Sequence, residues 1–304
     1  MTKVDSLESV RAMCSKFVND REWNKFHTPP NLMLALNGEI GELQEIFQWK
    51  GDFKTPIIDK ELFTEKEYVN IGEEISDVFI YTTRLADMCS IDLSKSVLVY
   101  LNSNDNIDID NIDYLKQGES FDSSLTFFEL QKLTEKHLNP SAVSKDLIIS
   151  SKSSLSSAQK LLSSKSSLLS LQNSPRRLSL AVQQSAARCS SLFCVHEESE
   201  SIIGLQAWNK QTVAELALSL ASIIVLLSLI SKAFGYSLGT CISDKFEKNS
   251  AKYPADRVKG SSAKYTHYQN IKNNKSIINL IDNKITYITI GIIFGYALSR
   301  LKLY

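Results

Sequence analysis

The stretch NLMLALNGEIGELQEIFQW, residues 31–49, decides the fold, because its apolar residues recur at the spacing of a helix face. A second stretch of the same kind, EKEYVNIGEEISDVFIYTTRLADM, covers residues 65–88. Residues 6–20 and a segment that starts near Leu93 follow the same period, whereas no segment alternates convincingly with the two-residue period of a strand. The sequence therefore predicts an all-α helical bundle.

Each of the two long helices carries a pair of acidic residues three positions apart. Glu39 and Glu42 lie on the first helix, and Glu74 and Asp77 lie on the second. Residues at this spacing share one helix face, with Cβ atoms about 5–6 Å apart. Two such faces packed together gather four carboxylates, and a hard cation relieves their repulsion. All-oxygen ligation suits Mg²⁺ or Mn²⁺, and because Mg²⁺ usually also binds substrate phosphates, the pattern indicates phosphate chemistry.

A solvated acidic helix face is the alternative interpretation of each pair. Both pairs, however, lie inside otherwise apolar stretches, Leu36 to Phe47 and Ile71 to Leu85, which is unusual for a solvated face. We therefore assign metal binding and catalysis to the four carboxylates.

Three segments of the chain resemble the all-α nucleoside triphosphate pyrophosphatases of the MazG-like group, whose signature is ExxE followed by ExxD. These are FVNDREWNKFHTPPNLMLALNGEIGELQEIFQWKGD (17–52), GEEISDVFIYTTRLADMCSIDLSKSVL (72–98) and, far downstream, KNSAKYPADRVKGSSAKYT (248–266). The resemblance covers residues 6–100 and 237–267. It implies Mg²⁺-dependent cleavage of dCTP between its α and β phosphates, giving dCMP and diphosphate, as a step of nucleotide-pool sanitation.

By the same resemblance, six further residues match positions of a nucleotide pocket: Trp23, His27, Trp49, Tyr81, Lys252 and Lys264. Aromatic faces suit base stacking, worth about 1–3 kcal/mol per base, and lysines suit phosphates. Core packing is the alternative for the two tryptophans, and a basic surface tail is the alternative for the two lysines. Cys14 stands where the relative has a pocket histidine, which leaves base and sugar preference open.

The rest of the chain repeats the first half weakly. RLSLAVQQSAARCSSLFCV (177–195) aligns with residues 31–49, and the segment from Ser219 to Ile242 aligns with the segment from Glu74 to Val97. In this register, the four acids are replaced in order by these residues: Ser185, Arg188, Ser219 and Ser222. We expect an internal duplication, a pseudo-dimer with a degenerate second copy. The KYP and SSAKY motifs follow only that second copy, so we expect one metal site served by both halves.

These observations divide the chain into four parts: a catalytic half (1–102), an Asn/Asp- then Ser-rich insertion (103–175), a degenerate second half (176–270) and a C-terminal tail (271–304). Two apolar runs, 216–230 and 285–303, approach the length of a membrane span. We interpret the first as a core helix of the second copy. The second is either a tail anchor in an organelle membrane, facing the cytosol, or a helix packed on the bundle.

The charge balance limits the function classes. Because 34 Lys and Arg residues balance 34 Asp and Glu residues, the chain has no electrostatic footprint for nucleic acid. The five cysteines show no CxxC spacing and the N-terminus is polar, which predicts a reduced, cytoplasmic protein. A dNTP substrate and self-association, as a pseudo-dimer and as a homodimer, are the expected partners. Two alternatives stay open: a non-catalytic, membrane-associated scaffold that keeps a decayed fold, and the same reaction on another dNTP such as dUTP.

Overall fold

A computed structural model describes residues 4–51, 53, 62–102, 125–138, 171, 174–195, 205 and 207–261. These ranges contain nine helices: α1 (Leu7–Asp20), α2 (Pro29–Phe47), α3 (Glu65–Met88), α4 (Leu93–Asn102), α5 (Phe127–Leu138), α6 (Pro175–Val195), α7 (Lys210–Phe234), α8 (Leu238–Lys252) and α9 (Ala255–Val258). Among the described residues, β pairing is limited to an isolated bridge between Ser6 and Thr126. The predicted all-α class is confirmed.

Side-chain caps define where several helices begin. Ser6 caps α1, and Thr64 caps α3 in a reciprocal capping box with Glu67. Asn209 accepts a hydrogen bond from the backbone N–H of Thr212 at the start of α7. At the other end of α7, Gly235 adopts a left-handed conformation with φ of 72°, which glycine tolerates without steric cost. These caps place the helix starts close to where the apolar period begins.

One hydrophobic core joins the two halves of the chain. Helix α2 packs against α3 and α6, while α7 packs against α3, α4, α5 and α6. The central helix α7 is buried along nearly its whole length, from Val213 to Ser231. Since α7 is apolar on all sides, it can be stable in water only inside such a bundle.

The helix contacts are reciprocal between the halves. In the register of the sequence alignment, α6, α7 and α8 correspond to α2, α3 and α4. Helix α3 contacts α8, and its counterpart α7 contacts α4, while α2 contacts α6 and α3 contacts α7. Two halves related by an approximate twofold axis would produce this exchange, although duplication itself remains a prediction.

Helix α7 is the one helix of the described ranges that is long and apolar enough to cross a membrane. However, 94% of its most apolar window is buried inside the bundle. This burial favours the interpretation of residues 216–230 as a core helix. The second apolar run, 285–303, lies outside the described residues, as does most of the insertion 103–175. The membrane anchor and the four-part division of the chain therefore stay predictions.

Candidate active site

Three of the four predicted acids meet where α2 packs on α3. Glu39 of α2 and Glu74 and Asp77 of α3 each offer a carboxylate oxygen, and these oxygens lie within 4.8 Å of one another. Glu42, one turn further along α2, is exposed and lines the same cavity, but it is not part of this close group. The structure therefore brings together three of the four acids, with the fourth at the rim.

The carboxylates are partly buried without enough positive charge around them. Burial, together with repulsion from Asp77, Glu42 and Glu74, raises the pKa of Glu39 to about 8. Burial also raises the pKa of Glu74 to about 7, against the opposing effect of Lys245. One oxygen of Glu74, Oε2, is buried and has no hydrogen-bond partner among the described residues. A divalent cation would satisfy this oxygen and relieve the repulsion, so this donor set fits a hard metal ion.

Two polar side chains of α8 contact the acids. The sequence analysis did not assign either of them to the site. Lys245 Nζ lies 2.6 Å from Asp77 Oδ2 and 3.5 Å from Glu73 Oε2, and Asn249 Nδ2 donates to Asp77 Oδ1 at 3.4 Å. Burial raises the pKa of Asp77 even though Lys245 opposes the shift. Glu73 pairs with Lys245 and Lys248 on the side of the helix next to the cluster. The four-residue spacing of Lys245 and Asn249 was visible in the sequence, but the face they meet was not.

A cavity of about 360 Å³ extends from the acids along α3 toward aromatic side chains. Trp23, His27 and Tyr81 line it, and their role in binding a nucleotide stays a prediction. Burial, with Arg84 nearby, lowers the pKa of His27 to about 4, so its imidazole is neutral near pH 7. Burial raises the pKa of Tyr81 above its usual range, so its hydroxyl also stays neutral.

The segment after α8 closes one wall of this cavity by bonding to the loop between α1 and α2. Arg21 Nε donates to the carbonyl oxygen of Tyr253 at 2.8 Å, and Gly260 N donates to the carbonyl oxygen of Arg21 at 2.8 Å. Trp23 Nε1 donates to the carbonyl oxygen of Ser261 at 2.8 Å, and its ring meets that of Tyr253 edge to face at 5.4 Å. The end of the second half therefore shapes the pocket of the first half.

The three remaining predicted pocket residues have different outcomes. Trp49 follows the end of α2, is 87% exposed and is not among the residues that line the cavity. That exposure also fits poorly with the alternative of core packing. Lys252 is exposed and lines the cavity, whereas Lys264 lies outside the described residues.

The corresponding place in the second half holds hydroxyl groups, with the guanidinium of Arg188 near Tyr100. Ser185 Oγ and Ser222 Oγ, which align with Glu39 and Asp77, lie 3.1 Å apart, and both residues are buried. Ser222 Oγ also donates to Tyr100 Oη at 3.3 Å. Tyr100 of α4 aligns with Lys245 of α8, so a neutral hydrogen bond replaces the ion pair. Among these aligned positions, the second half offers no carboxylate.

Comparison with known proteins bears on the same region. The chain is 41% identical over 99 residues to dCTP pyrophosphatase 1 of Rattus norvegicus and, with the same figures, to that of Homo sapiens. The match covers 33% of this chain and 56% of each relative, so the chain spans about half the length of the curated relatives it matches. No family model matches the chain, so the wider MazG-like group remains a resemblance. Over a third of its length, this chain is thus similar in sequence to dCTP pyrophosphatase 1.

Proposed function

We propose that the chain is a Mg²⁺-dependent nucleoside triphosphate pyrophosphohydrolase that converts dCTP and water to dCMP and diphosphate. The observation that carries this proposal is the group of three carboxylates, with a buried unpartnered oxygen on Glu74, at one end of a cavity lined by aromatic side chains. The substrate class comes from the names of the relatives. The same reaction on another dNTP, such as dUTP, is the nearest alternative.

The acids and their neighbours divide the work. Glu39, Glu74 and Asp77 would hold the metal, and Glu42, which is exposed and lines the same cavity, would complete the ligand set. When bound, Mg²⁺ (or Mn²⁺) neutralises phosphate oxygens and activates the attacking water. Lys245 and Asn249 orient Asp77 by hydrogen bonding to both of its oxygens. Retention of these acids in the first half argues against a decayed, non-catalytic scaffold.

We further propose that the two halves form one pseudo-dimeric enzyme. The first half carries the acids, while α8 and residues 253–261 of the second half complete the cavity. Residues 1–102 produced alone would then lack Lys245 and the wall of the pocket. Full dCTP hydrolysis by that fragment would contradict this division of labour.

The decisive experiment measures diphosphate release from a panel of dNTPs with Mg²⁺. We expect dCTP to be the preferred substrate and Glu39→Gln to lose at least about 10²-fold in kcat, because Gln has no anionic oxygen for the metal. Glu45→Gln is the matched control, since Glu45 is an exposed residue of the same helix. Equal activity of Glu39→Gln and Glu45→Gln would refute the metal assignment.

Location is a separate proposal. The apolar run 285–303 would anchor a cytosolic enzyme to an organelle membrane, and self-association of whole chains would add a homodimer. Carbonate extraction of cell membranes tests the anchor, because an anchored chain stays in the pellet. Release of the full-length chain into the supernatant would remove this proposal.

A further inference from the structure

Arg84 lies on the same face of α3 as the metal-site acids, further along the cavity. Asp77, Tyr81 and Arg84 follow one another at spacings of four and three residues, and all three line the cavity. Seven residues of helix separate the Cα atoms of Asp77 and Arg84 by about 10 Å along the axis. The cavity therefore has the acids at Asp77 and, about two helical turns further along α3, the guanidinium of Arg84, and we call this part the Arg84 end of the cavity.

Hydrogen bonds hold the Arg84 side chain in place, but one of its donor atoms has no acceptor within the described ranges. The residue is 4% exposed, Nη1 donates to Asp87 Oδ2 at 2.5 Å, and Nη2 donates to Asn24 Oδ1 at 2.9 Å. Its Nε is buried and has no hydrogen-bond partner among the described residues. Buried N–H groups nearly always have an acceptor. A ligand that brings an acceptor to this end of the cavity would supply it.

Cys14 and His27, two polar side chains that line the cavity near Arg84, are neutral near pH 7. Burial raises the pKa of the Cys14 thiol to about 12, and burial also keeps His27 unprotonated. His27 Nδ1 is, like Arg84 Nε, a buried atom without a partner in the described part of the chain. The ligand group that fits here is therefore polar and places hydrogen-bond acceptors next to Arg84. It does not need a negative charge.

We infer that Arg84 reads the cytosine edge of the substrate, an inference that rests on the proposed function because it places the triphosphate at the acids. A guanidinium only donates, and its Nε–H and one Nη–H form a fork that matches two adjacent acceptors. Cytosine presents such a pair, N3 and O2. In uracil and thymine, N3 carries a hydrogen and is a donor. It therefore cannot accept a hydrogen bond from Arg84.

The first test changes the ligand and leaves the protein untouched. Binding to wild-type protein with Mg²⁺ is measured by calorimetry for the α,β-imido analogues of dCTP, dUTP, dGTP and 3-deaza-dCTP, which lacks the N3 acceptor. We expect the dCTP analogue to bind about 10–100-fold more tightly than the dUTP and 3-deaza analogues, the effect of a hydrogen bond to a charged group. Equal affinities, tighter binding of the dGTP analogue, or no binding at all would overturn the assignment.

The second test changes the residue. Arg84→Lys keeps the charge but loses the fork, so we expect the dCTP and dUTP analogues to bind within about threefold of each other. Arg11→Lys is the matched control, because Arg11 also pairs with Asp87 but does not line the cavity. Retention of the full cytosine preference by Arg84→Lys would overturn the assignment, and if that variant does not fold, the wild-type ligand series decides.

Binding and hydrolysis separate the two proposals. The imido analogues cannot be cleaved between the α and β phosphates, so their binding does not depend on turnover. A cytosine preference in wild type that Arg84→Lys loses supports the role of Arg84 even when no diphosphate is released from dCTP. In that case the proposed hydrolysis fails alone. Hydrolysis of dCTP and dUTP with equal kcat/KM would instead contradict Arg84 and leave the reaction standing.

Discussion

At the residue scale, Asp77 joins the two halves through an ion pair and a hydrogen bond. It lies beside Glu39 and Glu74, and it accepts from Lys245 and Asn249 of the second half. One buried ammonium faces several carboxylates, so the metal-free cluster retains protons at neutral pH. Burial, and after it repulsion between the carboxylates, raises the pKa values of Glu39 and Glu74.

The stability of the metal-free protein should therefore fall as pH rises. Glu39 and Glu74 have folded-state pKa values of about 8 and about 7, above the ordinary 4.5, so between these limits the native state binds more protons than the unfolded state. Stability is then greatest below the unfolded pKa and is lost as pH rises through the folded pKa. We expect the Tm in chelator to drop by several degrees between about pH 5 and pH 8.5, and Mg²⁺ to flatten this slope.

The same series with Glu39→Gln provides the control. This variant has one fewer group to ionise, so its Tm in chelator should depend less on pH than that of wild type. A Tm in chelator that rises across this range in wild type, or the same slope in both proteins, would contradict the assigned cause.

At the scale of elements, α8 is part of the site although it belongs to the second half. Lys245→Gln should weaken Mg²⁺ affinity or activity by about 10–100-fold, the usual effect of removing a group that orients a metal ligand. Glu247→Gln on the exposed side of α8 should have little effect. Diphosphate release and Mg²⁺ titration measure both variants, and equal behaviour of the two would argue that α8 has no part in the site.

Periodicity in the sequence predicted the helices well, and it placed the acid pairs on facing helices. It could not predict contacts across the chain: Asn249 reaches Asp77 over 172 positions, and such pairings depend on how the halves pack. The exposure of Trp49 was missed for a related reason, since its motif indicates a type of residue and not the direction of the chain after α2. The sequence analysis did not single out Arg84, because the role proposed for it depends on its burial and on the cavity that the packed helices form.

Helix α7 should behave as the core of the bundle. Ile223 is fully buried, so Ile223→Ala should lower the free energy of unfolding by about 2–5 kcal/mol through lost burial and a cavity. Leu180→Ala on α6 is the control, because Leu180 is 59% exposed and should change stability by no more than about 0.5 kcal/mol. Urea unfolding measures both, and equal midpoints would contradict a buried α7.

At the scale of the whole molecule, the two halves make the same helix contacts but place different side chains at them. Asp77 of the first half pairs with Lys245 of the second half beside a cavity, whereas at the aligned position Ser222 of the second half forms a buried hydrogen bond with Tyr100 of the first half. Neutral groups are cheaper to bury than unpaired carboxylates, so the second position can stabilise the bundle without a metal. Under the proposed duplication, the second copy would stabilise the bundle and the first copy alone would carry out catalysis.

This asymmetry predicts one nucleotide site per chain, and the chain supplies its own matched control. Ser185→Ala with Ser222→Ala should leave kcat within about twofold of wild type, because no substrate-facing group is removed. The aligned pair, Glu39→Ala with Asp77→Ala, should lose activity by at least about 10²-fold. Calorimetry with the dCTP imido analogue and Mg²⁺ should give one ligand bound per chain. Two ligands per chain, or equal loss of activity in both double variants, would mean that the second half is itself a working site.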